Sequence, residues 1–133
     1  MTPVLPRSDG FRDFWRERRL CTVTTLRPDC TPHVVPMGVV LDPESDVVWA
    51  ITSGSSRKAR NIRAAAPEGA LFAACQVEGR WWSTVEGQAV VLDDPESVRR
   101  AEQLYAERYK VPRDNPDRVA LRVSVTRVLG NVR

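Results

Sequence analysis

The spacing of apolar and polar positions changes period several times along the chain, and those changes divide it into elements. Phe11, Phe14 and Trp15 fall on one helical face behind a possible cap at Ser8 or Asp9, which predicts a helix to about Arg19. A loose arm is expected before it, over residues 1–7. Residues 20–26 are rich in β-branched side chains and predict a strand. Arg27-Pro28-Asp29-Cys30 is turn chemistry, and residues 33–41 predict a second strand, so the pair forms a hairpin. Along that strand His33, Val35, Met37, Val39 and Leu41 share one face. Pro36 withholds a backbone donor and marks an edge, a bulge or a place where something meets the backbone. A third strand is expected at 47–52, followed by a helix to about Ala66 that Pro67 stops. Strands at 70–77 and 80–92 follow, with Gly87 marking a bend in the longer one. Pro95 opens a third helix that runs to about Tyr109, with Tyr105 and Tyr109 as packing residues. Alternation at 119–126 predicts the last strand. Six hairpin-connected strands with about three helices make the fold class mainly β, a small antiparallel barrel in one domain over residues 1–133.

Composition narrows the function classes. With 133 residues the chain buries a core without staples. The net charge of +3 is not gathered into one basic block, so no nucleic-acid partner is inferred. Cys21, Cys30 and Cys75 are odd in number and scattered, which argues against a disulfide framework and against zinc. No run approaches the roughly 20 apolar residues of a membrane span, and no signal-peptide pattern is visible, so a cytoplasmic location without membrane association is expected. His33 is the single histidine. A nucleophile system or a metal site built on it is less favoured than a strand histidine with no catalytic duty, and no metal is expected. Catalytic residues stay unassigned. Trp81-Trp82 points two rings to opposite faces of one strand, so one is expected in the core and the other against a partner chain or a planar ligand.

One stretch carries positive chemistry, Thr52-Ser53-Gly54-Ser55-Ser56-Arg57-Lys58-Ala59-Arg60-Asn61. A strand leads into a small-residue turn and then a basic helix start. Free amides at a helix start attract anions, and Arg57 and Lys58 add full charges. Taken alone, the stretch reads equally as a phosphate seat or as an ordinary capped basic helix.

Three segments together resemble a known family. Thr52 to Ile62, with Ser56-Arg57-Lys58 inside it, resembles the phosphate-binding segment of the pyridoxamine 5′-phosphate oxidase-like split barrels. Trp82 to Leu92 resembles that family's W-x-x-x-x-E-G-x-A strand, and Thr24-Thr25-Leu26 with Pro32-His33-Val34-Val35 resembles its opening hairpin. Tyr105 to Tyr109, Pro112-Arg113 through Asn115-Pro116, and Arg127 to Gly130 are similar to the deazaflavin-using B group, in its F420-dependent biliverdin reductase branch. The resemblance implies a homodimer of six-stranded split barrels, with a cofactor in a groove at the interface. It implies an F420-dependent reductase that passes a hydride to a conjugated small-molecule acceptor such as biliverdin. The implied cofactor residues are Ser56, Arg57 and Lys58 with Thr52, Ser55 and Asn61 beside them, Val35, Pro36 and Met37 along the ring, and Trp82 from the second subunit. His33 is a candidate for proton delivery, as is bulk water. The alternatives are an FMN-binding oxidase or reductase of the same fold and a non-enzymatic carrier of cofactor or tetrapyrrole. The absence of Arg and Lys from residues 33–41, which the flavin oxidases carry there for the FMN phosphate, counts against FMN.

Overall fold

A computed structural model of the chain describes residues 4–42, 44–65 and 68–132. In chain order the elements are α1 (Asp9–Arg16), β1 (Cys21–Leu26), β2 (Pro32–Met37), β3 (Val40–Asp42), β4 (Val47–Ser53), α2 (Arg57–Ala64), β5 (Ala70–Glu78), β6 (Trp81–Leu92), α3 (Pro95–Arg108) and β7 (Arg118–Gly130). The expected end of α2 at Ala66 and Pro67 lies outside the described residues. All strand pairs are antiparallel, in the order β2-β1-β5-β6-β7-β4-β3.

The strand count is therefore seven, not six. The expected second strand breaks after Met37 and hands over to β3, which lies at the opposite end of the sheet order. Gly38 and Val39 alone connect the two, so Met37 and Val40 lie within three Cα steps, no further apart than about 11 Å. The sheet must therefore curl until its two ends face each other, which makes a barrel split at this seam. Tyr105 and Tyr109 of α3 cover the link. A Cβ on Gly38 would lie 2.8 Å from the Tyr109 ring, so only glycine lets the ring approach. The Tyr109 hydroxyl donates to the carbonyl of Arg19 (2.6 Å) and lies 3.3 Å from that of Val39. Pro36 does sit on an edge strand, since β2 ends the sheet.

Alternation fills the barrel. Val23, Phe72, Ala74, Val85, Ala89, Leu121, Val123 and Val125 point inward, and α1 closes the core with Phe11 and Trp15. Each buried aromatic of this kind contributes up to about 3 kcal/mol. Ser8 caps α1 by accepting from the Phe11 amide (3.3 Å). The arm expected over residues 1–7 does not hold at residues 4 and 5. The Val4 and Leu5 amides donate to the Asp46 carboxylate, and the Leu5 side chain is buried; residues 1–3 lie outside the described residues. Trp15, not Trp81 or Trp82, is the core tryptophan. Trp81 and Trp82 are 45% and 38% exposed, because they start β6 beside the Gly79-Arg80 turn, past the packed body of the barrel.

A buried polar group ties the seam together. Arg108 of α3 donates to the carbonyls of Glu17 (3.0 and 2.8 Å) and Val39 (2.6 Å) and to the side chain of Gln76, whose own amide donates to the Phe14 carbonyl (2.7 Å). Arg108 continues the Ala101 and Leu104 face, where the pattern places an apolar residue. Burial pushes the neighbouring Cys21 thiol up to about 11, which keeps it protonated.

The outer face of β2, β1, β5 and β6 carries little charge. The register places Pro36, Thr22, Cys75 and Thr84 in one row, Val34, Thr24, Ala73 and Glu86 in the next, and Val77 opposite Trp82. Val34, Leu71, Val77 and Trp82 are exposed there.

Candidate functional site

β4 ends at Ser53, turns through Gly54 and Ser55, and enters α2 at its cap, Ser56. The Ser56 hydroxyl oxygen accepts from the Ala59 amide (3.2 Å) and is bonded to the Thr52 hydroxyl (3.0 Å). The loop before β7 clamps this turn. The Gly54 amide donates to the Asp117 carbonyl (2.7 Å), the Ser55 amide and hydroxyl donate to the Asp117 carboxylate (3.1 and 2.9 Å), and the Asn115 amide donates to Ser53 Oγ (2.9 Å). From the other side Arg63 donates to the Gly54 carbonyl (3.1 Å). Residues 53–56 are thus held from two elements before any ligand arrives.

The first turn of α2 presents Arg57, exposed, and Lys58, half-buried. Among the described residues neither has a carboxylate within ion-pair distance. Burial holds the Lys58 ammonium below its ordinary value. His33 faces the same helix, which follows from register. Asn61, one turn past Lys58, donates from Nδ2 to Thr25 Oγ1 (3.0 Å), and Thr25 pairs directly with His33 across β1 and β2. Directly opposed residues put their side chains on one face. Burial, and then the charges of Arg27, Lys58 and Arg57, hold the His33 imidazole below its usual value, so it is neutral at pH 7. His33 Nδ1 and Asn61 Oδ1 are both buried and without a hydrogen-bond partner among the described residues.

The structure places Thr52, Ser56, Arg57 and Lys58 around one turn at the start of α2. Val35 and Met37 lie on the His33 face of β2, while Pro36 points to the outer face. Asn61 is buried and ties α2 to β1, and Ser55 is exposed with its hydroxyl donating to Asp117. Trp82 stands on the outer face of β6, across from Val77. Asp117 and Thr25 had no role in the pattern. The turn residues Asn115-Pro116-Asp117 carry a signal for the first, while the second needs the hairpin register.

Two cavities lie elsewhere. One of about 310 Å³ lies between α1, β3 and α3, lined by Phe11, Trp15, Leu41 and Leu104 among others. One of about 940 Å³ runs along α3 and the loop after it. Neither of these two is lined by Lys58, Arg57 or His33. Among the described residues no three His, Cys, Asp or Glu side chains gather as a metal site, and no helix is long and apolar enough to cross a membrane.

The cluster fits an anion. Two cations, one half-desolvated, stand at the start of α2 with no carboxylate of the described residues within ion-pair distance, beside two buried polar atoms without a partner among those residues.

Known proteins share both fold and sequence. A relative named F420H(2)-dependent biliverdin reductase, from Mycobacterium tuberculosis (strain CDC 1551 / Oshkosh), is 44% identical over 124 residues, 93% of this chain and 88% of the relative. The crystal structure of the conserved hypothetical protein Rv2991 from Mycobacterium tuberculosis superposes with a TM-score of 0.77 at 23% identity, over 99% of this chain and 88% of that one. A structure named F420 reductase superposes at 0.72 with 22% identity, over 92% and 98%. At such identities the two structures speak for the fold alone. The family model described as pyridoxamine 5′-phosphate oxidase matches residues 8–131. By that match, the shared split barrel and the 44% relative, the chain belongs to the pyridoxamine 5′-phosphate oxidase family.

Proposed function

We propose that the protein is an F420-dependent oxidoreductase that reduces a conjugated small molecule, with a bilin as the favoured acceptor. The observation that carries this reading is the 44% identity, over 93% of the chain, to a relative named for F420H(2)-dependent biliverdin reduction. When bound, reduced F420 supplies the hydride. Arg57 and Lys58 hold its phosphate against the start of α2, with Ser56 and Thr52 fixing the turn. Val35 and Met37 offer an apolar edge beside the ring. The absence of Arg and Lys from β2 leaves the extra phosphate grip of the flavin oxidases without a counterpart.

The working unit is a homodimer. The weakly charged outer face of β2, β1, β5 and β6, with Trp82, Val77 and Leu71 exposed on it, is the surface to cover. A second copy seated there walls the cation cluster and brings its Trp82 toward the cofactor. That contact also excludes water from the site.

Lys58→Ala tests the seat. Removing one charge-assisted contact costs about 2 kcal/mol, roughly thirtyfold in F420 affinity, with the melting temperature nearly unchanged. Affinity equal to wild type would remove Lys58 from the site. Single-turnover oxidation of bound reduced F420 by a panel including biliverdin tests the reaction. If no acceptor reoxidises it, the protein is a carrier.

A further inference from the structure

We infer that His33 is a binding residue of the anion seat and engages the bound anion as the imidazolium. This rests on the assignment of the seat above. Register puts the imidazole on the α2 side of β2, opposite Thr25, whose hydroxyl accepts from Asn61 one helical turn past Lys58. The charged groups that face it are Arg27 from the hairpin turn and Lys58 and Arg57 from α2. From β1 it faces Thr25, which does not titrate, and β2 is an edge strand with no further neighbour. The free protein therefore surrounds the ring with positive charge and gives its Nδ1 no partner.

An anion at the start of α2 reverses that field. It neutralises Lys58 and Arg57 and becomes a counter-charge for a protonated ring. The imidazolium carries a donor on each nitrogen, whereas the neutral ring has only one. A doubly donating ring can serve the anion with one nitrogen while the other still carries a donor. Anion binding is thus coupled to uptake of one proton from solvent. Linkage makes the coupling reciprocal: the factor by which the anion raises the proton affinity is the factor by which the proton tightens the anion.

The chain has one histidine, so its ring gives one unambiguous set of NMR signals. The wild-type protein is titrated with acid, with and without saturating sulfate. Sulfate is the probe because it keeps its charge across this range, whereas a phosphate monoester itself titrates near about pH 6. The ring is expected to titrate below its ordinary value alone and about one unit higher with sulfate. Sulfate should then bind about tenfold more tightly at pH 5 than at pH 8. His33→Gln should bind sulfate with no such dependence. Sulfate binding that Lys58→Ala abolishes, with an unmoved His33 titration, overturns the inference and leaves the seat standing. No sulfate binding at any pH overturns both. The wild-type titration decides the matter even if His33→Gln folds poorly.

Discussion

Gly87→Ala strikes the barrel where β6 and β7 fall out of step. Glu86 pairs with Arg127 but Gly87 pairs with Val125, so Thr126 is the extra residue of a bulge. At Gly87 a Cβ would sit 2.1 Å from the Ser124 carbonyl oxygen and 2.8 Å from its carbon. The obstacle is main chain held in a ladder, so no side chain can swing aside, and β6 and β7 must part by more than 1 Å. Overpacking costs about 1–3 kcal/mol where side chains yield, and a rigid neighbour puts this case at about 3 kcal/mol. That is a large share of the roughly 5–15 kcal/mol that a domain possesses. At about 3–5 °C per kcal/mol for a chain of this size, the melting temperature should fall by roughly 10–15 °C. Urea and thermal melts of Gly87→Ala, beside Gln88→Ala on the exposed face of the same strand, measure it. The exposed substitution should stay within about 0.5 kcal/mol. Equal losses in the two variants would refute the assignment of Gly87 to a backbone contact.

The other expectations concern the seam and the site. Tyr109→Phe removes the hydroxyl that donates to Arg19 and should cost about 1 kcal/mol by urea melt, with no change in cofactor affinity; an unchanged midpoint would count against the contact. Thr25→Val leaves the buried Asn61 amide without its acceptor and should cost about 1–3 kcal/mol, with faster amide exchange in α2. Stability should also carry a histidine slope. The His33 folded pKa lies below the unfolded value near about 6.5, so its contribution is present above that value and is lost as pH falls below it toward the folded pKa. Between about pH 7 and 5 the wild-type melting temperature should fall faster than that of His33→Gln. Parallel curves would show that the ring is not perturbed.

Local chemistry was legible wherever neighbours in sequence are neighbours in space. The Ser8 cap, the Pro95 helix start and the irregularity at Gly87 follow from spacing and residue type. The break after Met37 was not, because alternation runs through Gly38 and Val39 without losing phase; Pro36 marked an edge or a bulge but not the hand-over. The seat's basic residues were legible as charge on a helix start. That Ser55 is claimed by Asp117, 62 residues away, and that Asn61 turns inward to Thr25 depend on long-range pairing that no local pattern encodes. The burial of Arg108 likewise depends on long-range pairing, since the carbonyls that converge on it come from Glu17 and Val39.

The two ends of the sheet have a further consequence, for solubility during synthesis and assembly. A strand edge with a full row of free amides is a template for sticking to other chains. Here β2 offers six residues of which Pro32 and Pro36 have no amide hydrogen, and β3 offers only three residues. Neither edge can nucleate a continuous intermolecular ladder. On a freshly made chain, contacts through the side chains of the outer face are therefore favoured over association by backbone.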